Sequence, residues 1–87
     1  MLKSLVSTNQ GELEIVLPVG STVRDLIQQL YFKSPDLYSR IWDSTKSTTW
    51  PDILILVNDV DVRLLNGLDT KLDDGVTVTF IAYIHGG

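Results

Sequence analysis

Residues 76–84 read Val-Thr-Val-Thr-Phe-Ile-Ala-Tyr-Ile and alternate without a break. Val76, Val78, Phe80, Ala82 and Ile84 fall on one face of an extended chain; Thr77, Thr79, Ile81 and Tyr83 fall on the other. A period of two belongs to a β-strand and demands a sheet around it. The strand runs into Gly86-Gly87 with only His85 between. Glycine is costly to order and has no side chain to pack, so this ending asks for a reason other than folding.

The other elements follow from changes of period. Residues 2–17 predict a β-hairpin, two apolar runs flanking Thr8-Asn9-Gln10-Gly11, with Asn and Gly as turn formers. In its second run Leu13, Ile15 and Leu17 alternate with Glu12, Glu14 and Val16. Pro18 and Gly20 end it, and the spacing becomes helical. Val23, Leu26, Ile27, Leu30 and Tyr31 form one apolar stripe, with Thr22 at the N-cap and Asp25 in the capping-box position. Ser34 and Pro35 suit the start of a short second helix, whose Leu37, Ile41 and Trp42 would face inward. Residues 43–52 read as a polar loop. Ile53–Asn58 is a continuous apolar, β-branched run of the kind buried on both faces, which places it at the centre of the sheet. Residues 59–69 predict a weak extended stretch ending in the Asn66-Gly67 turn, and Asp73-Asp74-Gly75 a turn before the last strand.

Size and charge set further limits. At 87 residues and 44% hydrophobic content, the chain is one small α+β domain with a mixed sheet, one main helix packed across it and a short second helix. A hairpin, then a helix, then more strands is the order of a β-grasp fold, in which the first and last strands run parallel at the centre. That topology competes with a central Ile53–Asn58 strand. We take residues 1–84 as the domain and residues 85–87 as a flexible tail. The net charge is −4 and the seven basic residues are scattered, the opposite of a nucleic-acid-binding surface. No apolar run approaches the roughly 20 residues that span a bilayer, and the polar opening Met-Leu-Lys-Ser is not a secretory signal. The expectation is a cytoplasmic monomer, with the nucleus as a second compartment, and neither direct nucleic-acid binding nor membrane attachment.

No enzyme site assembles. There is no cysteine and one histidine, His85. A serine triad built on a terminus would lack the rigid support that catalytic groups need. Asn58, Asp59 and Asp61 lack the remaining ligands of a calcium loop and read as a solvated turn, so no metal site is expected. The tail is different. Three residues reach about 10 Å, and two glycines can thread a narrow channel and adopt backbone angles that other residues refuse. The group they deliver is the terminal carboxylate. It is a poor electrophile until a partner enzyme converts it to an acyl-adenylate.

Almost the last 40 residues of the chain, from Pro51 onward, resemble the ubiquitin-related modifier 1 family. The resemblance rests on Val57-Asn58-Asp59, Asp61-Val62-Arg63-Leu64, Gly67-Leu68-Asp69, Asp73-Asp74-Gly75 and Ile84-His85-Gly86-Gly87. The front half agrees in layout only. Trp50-Pro51-Asp52, Val62 and Tyr83 depart from the family pattern and touch neither terminal glycine. The resemblance implies a ubiquitin-like β-grasp protein that is not itself an enzyme. It implies a sulfur carrier, adenylated at Gly87 by a ubiquitin-activating-type enzyme with ATP and magnesium. A persulfide then turns the terminus into a thiocarboxylate, and a tRNA thiolase complex delivers the sulfur to the wobble uridine. Conjugation to lysines of target proteins is implied as well. Gly87 would carry the reactive group, Gly86 would supply clearance and His85 an extended lead-in, with no cofactor bound to the carrier itself. The small subunit of molybdopterin synthase and the thiamin sulfur carrier share the Gly-Gly ending and stand as alternatives, as does a β-grasp interaction domain with no reactive tail. Docking to the activating enzyme is assigned to Ile81 and Tyr83, with Leu54 or Leu56 beside them; the competing reading makes them core.

Overall fold

The structure, a computed structural model, describes residues 1–82. Among the described residues, seven strands and two helices follow one another. They are β1 (Leu2–Thr8), β2 (Gly11–Leu17), α1 (Val23–Lys33), α2 (Pro35–Ile41), β3 (Trp42–Asp43), β4 (Thr48–Thr49), β5 (Ile53–Val57), β6 (Val60–Asp61) and β7 (Thr77–Ala82). The main sheet has the order β2-β1-β7-β5-β6, with β3 and β4 forming a separate small hairpin. β1 and β7 run parallel, Leu5 opposite Thr77 and Val6 opposite Val78. The other pairs are antiparallel. A parallel pair needs a crossover, and everything between β1 and β7 supplies it. This is the β-grasp arrangement.

The hairpin forms over Thr8-Asn9-Gln10-Gly11 as the sequence predicts, Thr8 opposite Gly11. Helix α1 starts on a complete capping box: Asp25 donates its amide to the Thr22 hydroxyl oxygen at 3.3 Å, and Thr22 donates its amide to the Asp25 carboxylate at 2.9 Å. Its stripe of Val23, Leu26, Ile27 and Leu30 is fully buried. Tyr31, counted in that stripe from spacing alone, is 56% exposed; it sits at the stripe's edge and meets Phe32 and Tyr38 edge-to-face. In α2, Ile41 is buried and Leu37 is half-buried, and Trp42, the first residue of β3, is buried. Pro35 occupies the first helical turn, but Ser34 makes no side-chain cap.

The core lies between the helices and one face of the sheet. That face carries Leu2 and Val6 of β1, Ile15 and Leu17 of β2, Val78 and Phe80 of β7, and Ile55 and Val57 of β5. Ser4 is buried on the same face, and its hydroxyl donates to the Val76 carbonyl at 3.0 Å, which removes the penalty of burying it.

Two expectations change. Ile53–Asn58 is not the centre: β5 lies between β7 and the two-residue β6. Nor is it buried on both faces. Helices cover only one side, so Ile55 and Val57 are buried while Leu54 and Leu56 stay half-buried. Residues 59–69 are extended only at Val60–Asp61, then coil into 3-10 turns at Val62–Leu64 and Gly67–Asp69. Asn58 and Asp59 both take positive φ, 47° and 68°, the backbone of a tight hairpin turn. Asn58 also accepts the Thr77 amide on its side chain at 2.9 Å, so it works as a clamp on the start of β7.

Candidate functional site

The face of the sheet away from the helices is open. On it, Ile81 of β7 stands directly opposite Leu54 of β5, and Thr79 stands opposite Leu56. Ile81 is 42% exposed; Leu54 and Leu56 are half-buried. Directly opposed side chains in an antiparallel pair lie about 4.5–5.5 Å apart at Cβ. Three of the four residues assigned to docking therefore form one apolar surface beside the end of β7. The competing reading, in which they belong to the core, does not hold for Ile81. Tyr83, His85, Gly86 and Gly87 lie outside the described residues. Ala82, expected on the core face, is exposed at the end of β7.

A charged pair borders this surface. Asp61 stands opposite Leu56 and is held by Arg63 in a fork. The Arg63 guanidinium donates to both carboxylate oxygens at 2.6–3.1 Å, and the Arg63 amide donates to Oδ1 at 2.9 Å. These bonds, the Arg63 side chain first, hold the Asp61 carboxyl below its ordinary range. The sequence reading missed the pair. Its signal is an aspartate one residue before a short helical turn, whose amide it caps. A cleft of about 270 Å³ adjoins, lined by Trp50, Ile53, Leu54, Asp61, Arg63 and Leu68. The arrangement offers apolar area with one fixed ion pair at its rim, suited to docking. It brings no nucleophile and base together among the described residues.

Asp43 is the second carboxyl held low, chiefly by the Thr45 hydroxyl, which donates at 2.6 Å. A folded pKa below the unfolded value of about 4 adds stability above that value, lost as pH falls through the folded pKa. The urea midpoint should therefore hold steady between about pH 7 and 5 and fall below about pH 4. The double variant Asp43→Asn, Asp61→Asn should show a shallower fall; an identical fall would place the acid sensitivity elsewhere.

Residues 3–87 match the ThiS family. The ubiquitin-related modifier 1 homolog of Drosophila willistoni is 36% identical over 69 residues, 79% of this chain and 64% of that protein. The chain thus spans just under two thirds of that relative's length. The solved Urm1 of Trypanosoma brucei superposes with a TM-score of 0.71 at 31% identity, covering 98% of this chain and 95% of that one. A chain of the Amycolatopsis orientalis BexX/CysO complex superposes with a TM-score of 0.74 at 25% identity, covering 97% and 99%. A match across 85 residues (3 to 87) and the parallel pairing of β1 with β7 agree: the chain belongs to the ThiS family of ubiquitin-like β-grasp proteins, and it is similar in sequence to the ubiquitin-related modifier 1 proteins.

Proposed function

We propose that this chain is a ubiquitin-like sulfur carrier whose reactive atom is the carboxylate of Gly87. In this reading an activating enzyme transfers AMP from ATP, with magnesium, onto that carboxylate and releases pyrophosphate. A persulfide of the enzyme attacks the acyl carbon and expels AMP, and a second thiol cleaves the resulting acyl disulfide to free the thiocarboxylate. The sulfur passes to the wobble uridine of tRNA through a thiolase complex, and the activated terminus also reaches lysines of target proteins. The carrier acts in the cytoplasm and binds no cofactor of its own.

The observation that carries the reading is the apolar surface of Ile81, Leu54 and Leu56 beside the end of β7. A terminus that must enter another protein's active site needs a rigid docking surface next to it. Membership of the ThiS family and the likeness to a chain solved in complex with a partner support it further.

The test is the intact mass of the full chain after incubation with ATP, magnesium and lysate from its own cells. Replacement of one oxygen by sulfur is expected; an unchanged mass in a lysate competent for tRNA thiolation would remove the proposal. Docking has its own test. Ile81→Asp and Leu54→Asp should each lower kcat/KM for adenylation by at least about tenfold, the effect of losing a central apolar contact. For Ile81→Asp, which is 42% exposed, the urea midpoint should stay put. Unchanged kinetics in both would move the docking surface elsewhere.

A further inference from the structure

Among the described residues, β2 forms an outer edge of the sheet and pairs only with β1. Which of its peptide groups face outward follows from the bonds on the far side of β1. Leu5 donates its amide to the Val76 carbonyl at 3.0 Å, and the Lys3 carbonyl accepts from Gly75 at 2.8 Å. Lys3 and Leu5 thus turn their peptide groups toward the centre of the sheet. Their partners across the hairpin are Val16 and Glu14, and the next pair of the same kind is Ser7 with Glu12. In an antiparallel ladder these are the non-hydrogen-bonded pairs. Glu12, Glu14 and Val16 therefore direct their N–H and C=O groups away from β1, into solvent.

The side chains of the same three residues are exposed on the open face. Glu12 and Glu14 stand opposite Ser7 and Leu5, neither of them cationic, and neither glutamate forms an ion pair among the described residues. On the other side of the edge, a groove of about 430 Å³ runs between the end of β2 and α1, lined by Leu17, Pro18, Val19, Asp25, Gln28 and Gln29. Val19 is 80% exposed.

We propose that the β2 edge is a second binding site, separate from the surface beside the tail, and that it takes an extended segment of a partner protein as an added strand. The charges select the occupant. An antiparallel strand laid on β2 places alternate side chains beside Val16, Glu14 and Glu12, so a segment with an apolar residue followed by two basic residues, each two positions apart, meets complementary neighbours. Its intervening side chains lie beside Leu13 and Ile15 on the helix side of the edge, where apolar residues fit, and the residue before its apolar one meets Leu17 at the mouth of the groove. A second copy of this chain is disfavoured, because antiparallel β2–β2 pairing sets Glu12 and Glu14 against the same glutamates. The site uses no residue of the tail, so it stands or falls apart from the sulfur-carrier reading.

Amide exchange of the full chain tests it, with the peptides TVVKVKT and TVVEVET as probes. The lysine peptide should slow exchange at Glu12, Glu14 and Val16 and bind about tenfold or more tightly than the glutamate peptide. The double variant Glu12→Lys, Glu14→Lys should reverse the preference. Glu14→Pro removes one outward N–H without touching a bond to β1, and it should abolish binding at an unchanged urea midpoint. No protection by either peptide, equal binding of the two, or protection that rises with protein concentration alone would each overturn the proposal. The first would reduce the glutamates to guards of a free edge, and the last would make a second copy the occupant.

Discussion

Deletion of Gly87 alone is expected to abolish both the gain of sulfur and the formation of lysine conjugates, while leaving the fold intact. The deleted chain still ends in a glycine carboxylate, so the chemistry of the group is unchanged. What changes is its reach, shortened by about 3.3–3.6 Å. Misplacement of a reacting atom by about 1 Å can already cost 10²-fold, and a full residue should take the carboxylate out of range of the ATP phosphate it must attack. Stability should move by less than about 0.5 kcal/mol, because the buried residues of β7 are Val78 and Phe80, well before the deletion. Gly86→Val tests the clearance separately: it keeps the length, adds a branched side chain, and should slow adenylation without abolishing it. Intact mass and the urea midpoint, measured on the same samples, separate the outcomes. A deleted chain that still acquires sulfur would place the reactive group elsewhere. A deleted chain that unfolds would make the glycine structural.

The parts of the fold legible in the sequence are those that local chemistry determines. The hairpin shows in Asn9 and Gly11 between two apolar runs. Helix α1 shows in the Thr22–Asp25 box and in the buried spacing of Val23, Leu26, Ile27 and Leu30. The core face of β7 shows in Val78 and Phe80. What is not legible depends on distant partners. Ile53–Val57 reads as a central strand because all five side chains are apolar, but burial on its second face requires another layer, and no helix among the described residues lies there. Leu54 and Leu56 stay half-buried on the open surface. The β3–β4 pair is missed because two-residue strands carry no period; a polar run that would otherwise be a loop closes on Asp43 and the Thr45 hydroxyl. The Asp61–Arg63 fork is missed for a related reason. A pair two residues apart reads as part of an extended stretch, and only the 3-10 turn at Val62–Leu64 brings the guanidinium back onto the carboxylate. For the docking surface, the alternation of β7 placed Ile81 on the face opposite Phe80, but its neighbour Leu54 was fixed only by the register of β5 on β7.

Leu30→Ala should be among the most damaging single truncations of the scaffold, at about 2–5 kcal/mol. Leu30 has no exposed surface and lies in the last full turn of α1, the longer of the two helices among the described residues. Its carbonyl also accepts the Ser34 amide at 2.8 Å, so α1 ends and α2 begins over the same residue. Alanine keeps the helix and that bond and removes only the packed side chain, so the loss reads out the core. A domain of this size has a total stability of about 5–15 kcal/mol, and each kcal/mol shifts Tm by about 4–8 °C. The variant should therefore lie near the limit of folding at physiological temperature. Phe32→Ala supplies the contrast within the same helix: its ring is 75% exposed, and its removal should cost less than about 0.5 kcal/mol. Urea and thermal unfolding of the two variants check the comparison. Near-equal losses would mean that α1 does not cover the sheet in the orientation described. The large asymmetry expected here ties the docking proposed for Ile81 and Leu54 to the core, because α1 holds the opposite face of the same strands.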